Sequence, residues 1–228
     1  MKTTLFIPVL NEIEGLRLIM PQVKREWVDE ILFVDGHSTD GTREYLEEHG
    51  YTYLMQRKRG IFAAWWQAFE AAKGDVIICF SPDNNSLPEA IPQLVEKMKL
   101  GYDLAIASRY KGNARSHDDT PLTAVGNYVY TRIINALFDG QYTDALGMYR
   151  AFRKDLLYEL KLNEHPDDIF EVLMAIRAAK HGLKIVEIEA EEPARIGGRV
   201  SRAWPGLRGR LRGGTLMTRL IMREWLKR

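Results

Sequence analysis

The chain has little cysteine, one residue in 228, which excludes an internal disulfide. That residue, Cys79, stands in an apolar run and reads as an inert core thiol. No run of about 18 apolar residues occurs, so no membrane-spanning helix is expected. The first residues, MKTTLFIPVLNE, lack the longer apolar region and small-residue cleavage site of a signal peptide, and a cytoplasmic location is the expectation. No glycine-rich turn follows the first apolar run, where residues 8–12 read PVLNE. That absence argues against a nicotinamide or flavin site, and the P-loop pattern is missing as well. There is no internal repeat and no low-complexity segment. Net charge is also nearly absent, at +1, but it is unevenly spread. From Arg195 onward there are ten Lys/Arg against one acid, Glu224, whereas residues 1–194 carry 22 bases against 30 acids. An acidic body with a basic tail suggests a tail that seeks an anionic surface.

What is present begins with a hydrophobic content of 46%, ample for a core. The length suits one large domain, or one domain with an appendage. Apolar runs alternate with helical patterns along the first half. Strands are expected at residues 3–9, 28–35, 51–55, 76–80 and 103–108, and helices at 11–20, 39–49, 60–73 and 88–100. Thr39 or Asp40 is the candidate cap of the second helix. Five such alternations predict an α/β fold with a mostly parallel sheet covered on both faces. Beyond Arg109 the pattern changes. Residues 110–121 form a polar loop long enough to act as a lid, and residues 123–138 read as helix. Residues 144–152 mix a glycine turn with aromatics and arginine. A helix over 167–180, a strand over 183–188 and the basic tail complete the chain.

The organising stretch is 74–89, GDVIICFSPDNNSLPE. A buried strand ends at Ser81-Pro82 and is followed by Asp83, Asn84, Asn85 and Ser86, a group of hard oxygen donors where open α/β sheets bind ligands. One carboxylate with neutral oxygens holds Mg²⁺ or Mn²⁺ only when a diphosphate supplies further ligands. Carboxylates also stand after the first two strands, as Glu12 and Asp35. They suit ribose hydroxyls and base N–H groups, and a nucleoside diphosphate bound through a metal reconciles all three. Arg57, Lys58 and Arg59 precede the helix at Gly60 and can meet phosphate charge or form a solvated basic turn.

These residues carry a resemblance. Residues 8–12 (PVLNE) resemble the strand-end signature of family 2 inverting glycosyltransferases with the GT-A fold. Residues 34–42 (VDGHSTDGT) resemble their second signature. Arg59-Gly60 with Ala63, Ala64 and Gly74-Asp75 resembles the segment that follows. Ser81-Pro82-Asp83-Asn84-Asn85 falls at their Asp-x-Asp metal motif. Residues 107–110 (ASRY), 144–153 and 187–199 follow the order of the dolichol-phosphate-mannose-synthase-like branch. The match is collinear over roughly 3–200. It implies a GT-A domain over 1–200, with a nucleotide-sugar half (1–108) and an acceptor half (109–200), and a basic amphipathic helix over 201–228.

The resemblance implies a nucleotide site of Pro8, Leu10, Glu12, Asp35, Lys58, Gly60, Pro82 and Asp83, and Mg²⁺ or Mn²⁺ on Asp83 and Asn85. The donor would be a UDP- or GDP-linked sugar, and the acceptor a polyprenyl phosphate, another lipid or a glycan. A hydroxyl acceptor needs a carboxylate base, for which Glu171 is the first candidate by its spacing to Arg177 and Asp168 the second. A phosphate acceptor needs cations instead, and the resemblance places Arg109, Arg195 and Arg199 there, with Arg109 counted among the catalytic candidates. Two departures stand out. Ser81 replaces the first acid of the metal motif, and Gly36-His37 alters the second signature. Ser81 keeps open a nucleotide-sugar-binding protein with weak or lost catalysis. A nucleotidyltransferase shares the fold type but would carry a glycine-rich basic loop after the first strand. In the tail, Leu216, Met217, Leu220, Ile221 and Trp225 share a helical face rimmed by Arg219, Arg223, Lys227 and Arg228. It can lie on an anionic membrane surface over 207–228, on its own domain, or on a second subunit of a homo-oligomer. Arg208, Arg210 and Arg212 come with no nucleic-acid-binding module, and nucleic acid is not expected as a partner.

Overall fold

The computed structural model describes residues 1–196 and 206–227. Arg199, Arg202 and Arg228 lie outside the described residues, as do the side chains of Arg208 and Arg210. Seven strands form one sheet: β1 (Thr3–Val9), β2 (Glu30–Asp35), β3 (Thr52–Met55), β4 (Val76–Cys79), β5 (Leu104–Ser108), β6 (Arg150–Arg153) and β7 (Ile185–Glu189). Their spatial order is β3-β2-β1-β4-β6-β5-β7. Neighbours are parallel except β6, which runs antiparallel to β4 and β5. The helices are α1 (Ile13–Ile19), α2 (Thr42–Glu48), α3 (Ile61–Ala71), α4 (Ala90–Lys99), α5 (Pro121–Phe138), α6 (Leu156–Glu159), α7 (Phe170–Lys180) and α8 (Gly206–Leu226).

The period-2 alternation of the strands sorts side chains to two cores. On one face Phe6, Leu32, Val34, Ile77 and Cys79 pack with residues of α3, α5, α7 and α8. On the other, Leu5, Ile7, Phe33, Val76 and Ile78 pack with residues of α1, α2 and α4. In α4 the buried Ile91, Leu94, Val95 and Met98 recur at helical spacing, and each such burial is worth about 1.5–3 kcal/mol. The expected α/β sheet, covered on both faces, is thus present.

Two differences from the sequence expectation have physical causes. First, the 144–152 stretch, which mixes a glycine turn with aromatics and arginine, runs into a strand, β6. It is short, and an arginine stands at each end, yet Arg150 is fully buried. The strand is inserted between β4 and β5, so consecutive strands of the first half are not neighbours there. Second, α7 begins at Phe170 and not at 167. Asp168 belongs to a turn in which its N–H donates to the His165 carbonyl, and Ile169 is extended before the first helical turn. α8 lies on its own domain. Leu220 and Ile221 are buried, while Leu216 and Trp225 of the same expected face stay exposed. Glu224 is held by Arg177 of α7 at 2.8 and 3.2 Å, which ties the two helices together.

Candidate active site

The carboxyl ends of β1, β2 and β4 converge on one side of the sheet, the usual place for ligands in such folds. The turns there are stitched together by side chains. The Asn11 N–H donates to Ser38 Oγ at 2.8 Å, Thr39 N–H to Asn11 Oδ1 at 2.8 Å and Glu12 N–H to Thr42 Oγ1 at 3.0 Å. Asp40 accepts from the Ile13 N–H and from the Thr42 N–H and so braces the starts of α1 and α2, but the N-cap of α2 is Gly41, not Thr39 or Asp40. Asp35 is fully buried and accepts the N–H groups of His37 (2.9 Å) and Ser38 (3.0 Å). Its carboxylate thereby shapes the turn. Pro8 pairs with Val34 across the sheet, and Leu10 closes on Gly36, where an added Cβ would lie 3.3 Å from Leu10 Cβ.

The basic turn is built from its backbone. Gln56 Nε2 donates to the carbonyls of Lys58 and Gly60, and His37 Nε2 meets the Gln56 carbonyl at 2.9 Å. Gln67 of α3 accepts the Arg57 N–H and donates to the Met55 carbonyl, both at 2.8 Å. Gly60 takes φ +108, a left-handed value suited to glycine. Arg57, Lys58 and Arg59 are thus carried, exposed, on a braced turn before α3.

After β4 the chain turns at Pro82–Asp83 against α1, and Gly15 makes the approach possible. A Cβ there would lie 2.4 Å from the Pro82 carbonyl oxygen. Asp83 is buried, with Oδ1 accepting the Asn85 N–H at 3.2 Å and Oδ2 ion-paired to Arg195 Nη1 at 2.8 Å. Glu12 lies within electrostatic reach. Its carboxyl is raised to about 7 by burial, then by the charge of Asp83, against the opposing pull of Arg195 and a further push from Asp40. Two oxygens of this site, Glu12 Oε2 and Asn85 Oδ1, are buried and have no hydrogen-bond partner among the described residues. Buried polar atoms normally have a hydrogen-bond partner, from protein, water or a bound group. Among the described residues no cluster of three or more His, Cys, Asp or Glu side chains can cage a metal alone. Asp83 with the partnerless Asn85 Oδ1 nevertheless fits a hard divalent cation that takes its other oxygens from a ligand.

Residues 190–196, after β7, cross this site. The Ala190 N–H donates to the Ser108 carbonyl, Glu192 bridges residues 115–117 through its backbone, Ala194 accepts from Asn84 Nδ2, and the Ile196 N–H donates to the Asp83 carbonyl. The polar loop at 110–121 is therefore pinned to this strap, and Asn85 Nδ2 reaches Asp118 of the loop at 3.3 Å.

Arg109 stands at the end of β5 and makes a two-point pair with Asp144 (2.7 and 3.0 Å) and a third contact with Glu192 (3.3 Å). Burial is the largest influence and pushes the Asp144 carboxyl up, but the charge and hydrogen bonds of Arg109, with the charge of Arg150, together hold the group below its usual range. Glu187 of β7 in turn accepts the N–H groups of Thr143 and Asp144, fixing that turn. Glu171 lies half-buried in the first turn of α7, raised by burial against the pull of Arg150 and then Arg109. Asp168 is committed elsewhere, in a two-point pair with Arg223 of α8 at 2.6 and 3.2 Å. The structure thus gathers Glu12, Asp83, Asn85 and Arg195 at one point, and Arg109 and Glu171 within electrostatic range of each other. Arg199 lies outside the described residues. Gly15, Glu192, Glu187 and Arg150 were not singled out from sequence. A glycine inside the first helix was the available signal for Gly15. The other three act through contacts more than 20 residues away.

The family model described as "Glycosyl transferase family 2" matches residues 4–161. Among curated proteins the chain is similar to glycosyltransferase AglJ of Haloferax volcanii, at 28% identity over 78% of this chain and 58% of that one. It is 29% identical to a dolichol-phosphate mannosyltransferase of Pyrococcus furiosus, over 82% of this chain and 55% of the relative. The chain therefore spans little more than half the length of these two. An undecaprenyl-phosphate mannosyltransferase of Micrococcus luteus is 30% identical, over 92% of this chain and 99% of its own. Among solved structures, glucosyl-3-phosphoglycerate synthase of Mycobacterium tuberculosis in complex with UDP is similar in fold, with a TM-score of 0.66 at 18% identity over 98% of this chain and 80% of that one.

Proposed function

The chain belongs to glycosyl transferase family 2, and on that premise we propose that it moves a sugar from a nucleoside-diphosphate sugar to a polyprenyl phosphate, by inverting displacement at the site around Asp83. The observation that carries this reading is the convergence of Glu12, Asp83 and Asn85 with two unsatisfied buried oxygens at the ends of β1 and β4. The GT-A sheet expected from the sequence is present, shared with the UDP-bound synthase.

Asp83 and Asn85 would hold Mg²⁺ or Mn²⁺, which would supply the charge that neutralises a departing diphosphate. That the M. tuberculosis synthase was crystallised with Mn²⁺ and UDP supports this choice of ion. Arg195, ion-paired to Asp83, would bring its charge to the same phosphates. Glu12, Pro8 and Leu10 line the nucleoside side, Asp35 shapes the turn beneath it, and Lys58 and Gly60 bring cationic charge and backbone N–H groups to the phosphates.

The acceptor class is supported by the names of the relatives from M. luteus and P. furiosus, which act on undecaprenyl and dolichol phosphates. It is also supported by an exposed apolar surface. Leu122, Val125, Tyr128 and Val129 of α5 are exposed, and α8, joined to α5 by the Tyr130 hydroxyl donating to the Gly214 carbonyl, adds Leu211, Leu216, Met222 and Trp225. No helix among the described residues is long and apolar enough to cross a membrane. In this reading the exposed apolar surface of α5 and α8 serves peripheral contact with a lipid interface on the cytoplasmic face. A hydroxyl acceptor is the second reading, favoured by Glu171 lying within electrostatic reach of Arg150 and Arg109.

Purified protein incubated with labelled UDP- and GDP-sugars, Mn²⁺ and undecaprenyl phosphate in vesicles tests the proposal. Labelled lipid together with free nucleoside diphosphate is expected, and Asp83→Ala abolishes both. Pyrophosphate release would instead indicate nucleotidyl transfer, and hydrolysis or binding without lipid product would overturn the acceptor.

A further inference from the structure

Three consecutive residues after β4 are each held from a distance. Asp83 is ion-paired to Arg195, and Asn84 Nδ2 donates to the Ala194 carbonyl, both on the strap after β7. Asn85 is held by the 110–121 loop instead. Its Nδ2 donates to Asp118 Oδ2 at 3.3 Å, while its backbone N–H donates to Asp83 Oδ1 at 3.2 Å. The other end of its carboxamide, Oδ1, is buried and has no hydrogen-bond partner among the described residues. Asp118 is itself placed by anchored neighbours. On one side the His117 N–H donates to the Glu192 carbonyl at 2.7 Å, the Glu192 N–H to the Arg115 carbonyl at 3.0 Å, and Ser116 Oγ to the Glu192 carboxylate. On the other, the Asp119 N–H donates to Ser116 Oγ at 3.0 Å, and Asp119 Oδ2 accepts from the Tyr110 hydroxyl and from Asn127 of α5.

A carboxamide has a donating end and an accepting end, and a carboxylate only accepts. Asp118 can therefore face only the NH2 of Asn85, which leaves the oxygen as the open end. A half-turn of the carboxamide would put NH2 in its place, and hard cations take oxygen ligands. Ser81 stands where an acid is expected, so the site depends more heavily on Asn85 and on what orients it. We propose that Asp118 is a positioning residue of the cation site, turning the Asn85 carboxamide so that its oxygen, and not its NH2, is offered to the cation. Cation binding is thereby tied to the 110–121 loop. Asp118 acts through Asn85 and is not itself a ligand. The inference rests on the reading of Asp83 and Asn85 as the cation site.

The test measures Mn²⁺ affinity, read from the electron paramagnetic resonance signal of free Mn²⁺ titrated into the full chain with UDP or GDP. Nucleotide affinity in chelator is measured beside it. Outer partners that orient metal-binding groups are worth about tenfold or more in affinity, so Asp118→Ala should weaken Mn²⁺ by about that factor. Its nucleotide affinity in chelator should be unchanged. Asp118→Asn keeps an accepting oxygen and should retain most of the Mn²⁺ affinity. Unweakened Mn²⁺ binding in Asp118→Ala would overturn the proposal. So would an Asp118→Asn as weak as Asp118→Ala, because the site would then be using the charge and not the hydrogen bond. A merely structural aspartate would lower nucleotide affinity with and without Mn²⁺ alike, and that result also overturns it. Should Asp118→Ala not fold, the side-chain NH2 signals of Asn85 in the unaltered protein decide. Hydrogen-bonded to a carboxylate they exchange slowly with solvent, and rapid exchange would overturn the proposal. A Mn²⁺ gain lost in Asp83→Ala but kept in Asp118→Ala removes the role of Asp118 alone. No Mn²⁺ gain in the unaltered protein removes the cation site and this inference with it.

Discussion

Glu12→Gln is predicted to stabilise the ligand-free protein at pH 8 and to leave it nearly unchanged at pH 4.5. The folded Glu12 carboxyl lies near 7 against an ordinary 4.5, because it is buried beside Asp83. A carboxyl that holds its proton more tightly in the folded state contributes its full stabilisation below pH 4.5 and loses it as pH rises through 7. The gap of about 2.5 units corresponds to about 3 kcal/mol. Glutamine has the same shape and never ionises, so the variant escapes that loss. The difference between the two proteins should grow from near zero at pH 4.5 to about 3 kcal/mol at pH 8, with most of the change between pH 5 and 7. Urea unfolding of both proteins across this range reads it directly, since all other titrations cancel in the difference. A difference constant to within about 1 kcal/mol from pH 4.5 to 8 would refute the electrostatic account of the Glu12–Asp83 pair. At the same time Glu12→Gln should weaken nucleotide binding, which shows the stability being sacrificed for the site.

Gly15→Ala places a Cβ 2.4 Å from the Pro82 carbonyl oxygen, and the required shift should cost about 1–3 kcal/mol and reduce the melting response to Mn²⁺ with nucleotide. Glu224→Gln breaks the pairing of a buried carboxylate with Arg177, Lys180 and Arg223. A loss of about 3 kcal/mol and faster tryptic release of α8 are expected, read by urea unfolding and limited proteolysis. Burial pushes that carboxyl up, but Arg177 and Arg223 hold it below its usual range, so the contribution is present above the ordinary Glu range and fades as pH falls through it. Val125→Glu with Val129→Glu, both at exposed positions, should cut sedimentation with anionic vesicles severalfold and leave the melting temperature unchanged.

The alternation of Thr3–Val9 and the apolar run ending at Cys79 were legible because their period and length decide both strand type and burial. Glu12, Asp83 and Asn85 were legible because strand ends of a parallel sheet face one side. The β6 strand was not, since a four-residue strand bounded by arginines has no local signal and owes its place to pairing with β4 and β5. The fate of the charges was equally hidden. The resemblance places Arg109 and Arg195 as cations for a phosphate, and their pairing with Asp144, Glu192 and Asp83 had no local signal. Asp168 read as a candidate base, and Arg223, 55 residues later, holds it. Pairings of that range are set by the order of strands, which no local window of sequence contains.

The central claim is that Asp83 organises a cation-assisted site for a nucleoside diphosphate. Isothermal titration of UDP and GDP into the protein, with Mn²⁺ and with chelator, tests it most directly. The account predicts binding of one nucleotide that strengthens at least tenfold with Mn²⁺ and loses that gain in Asp83→Ala. Absence of binding by either nucleotide, or equal affinity with and without Mn²⁺, would contradict it.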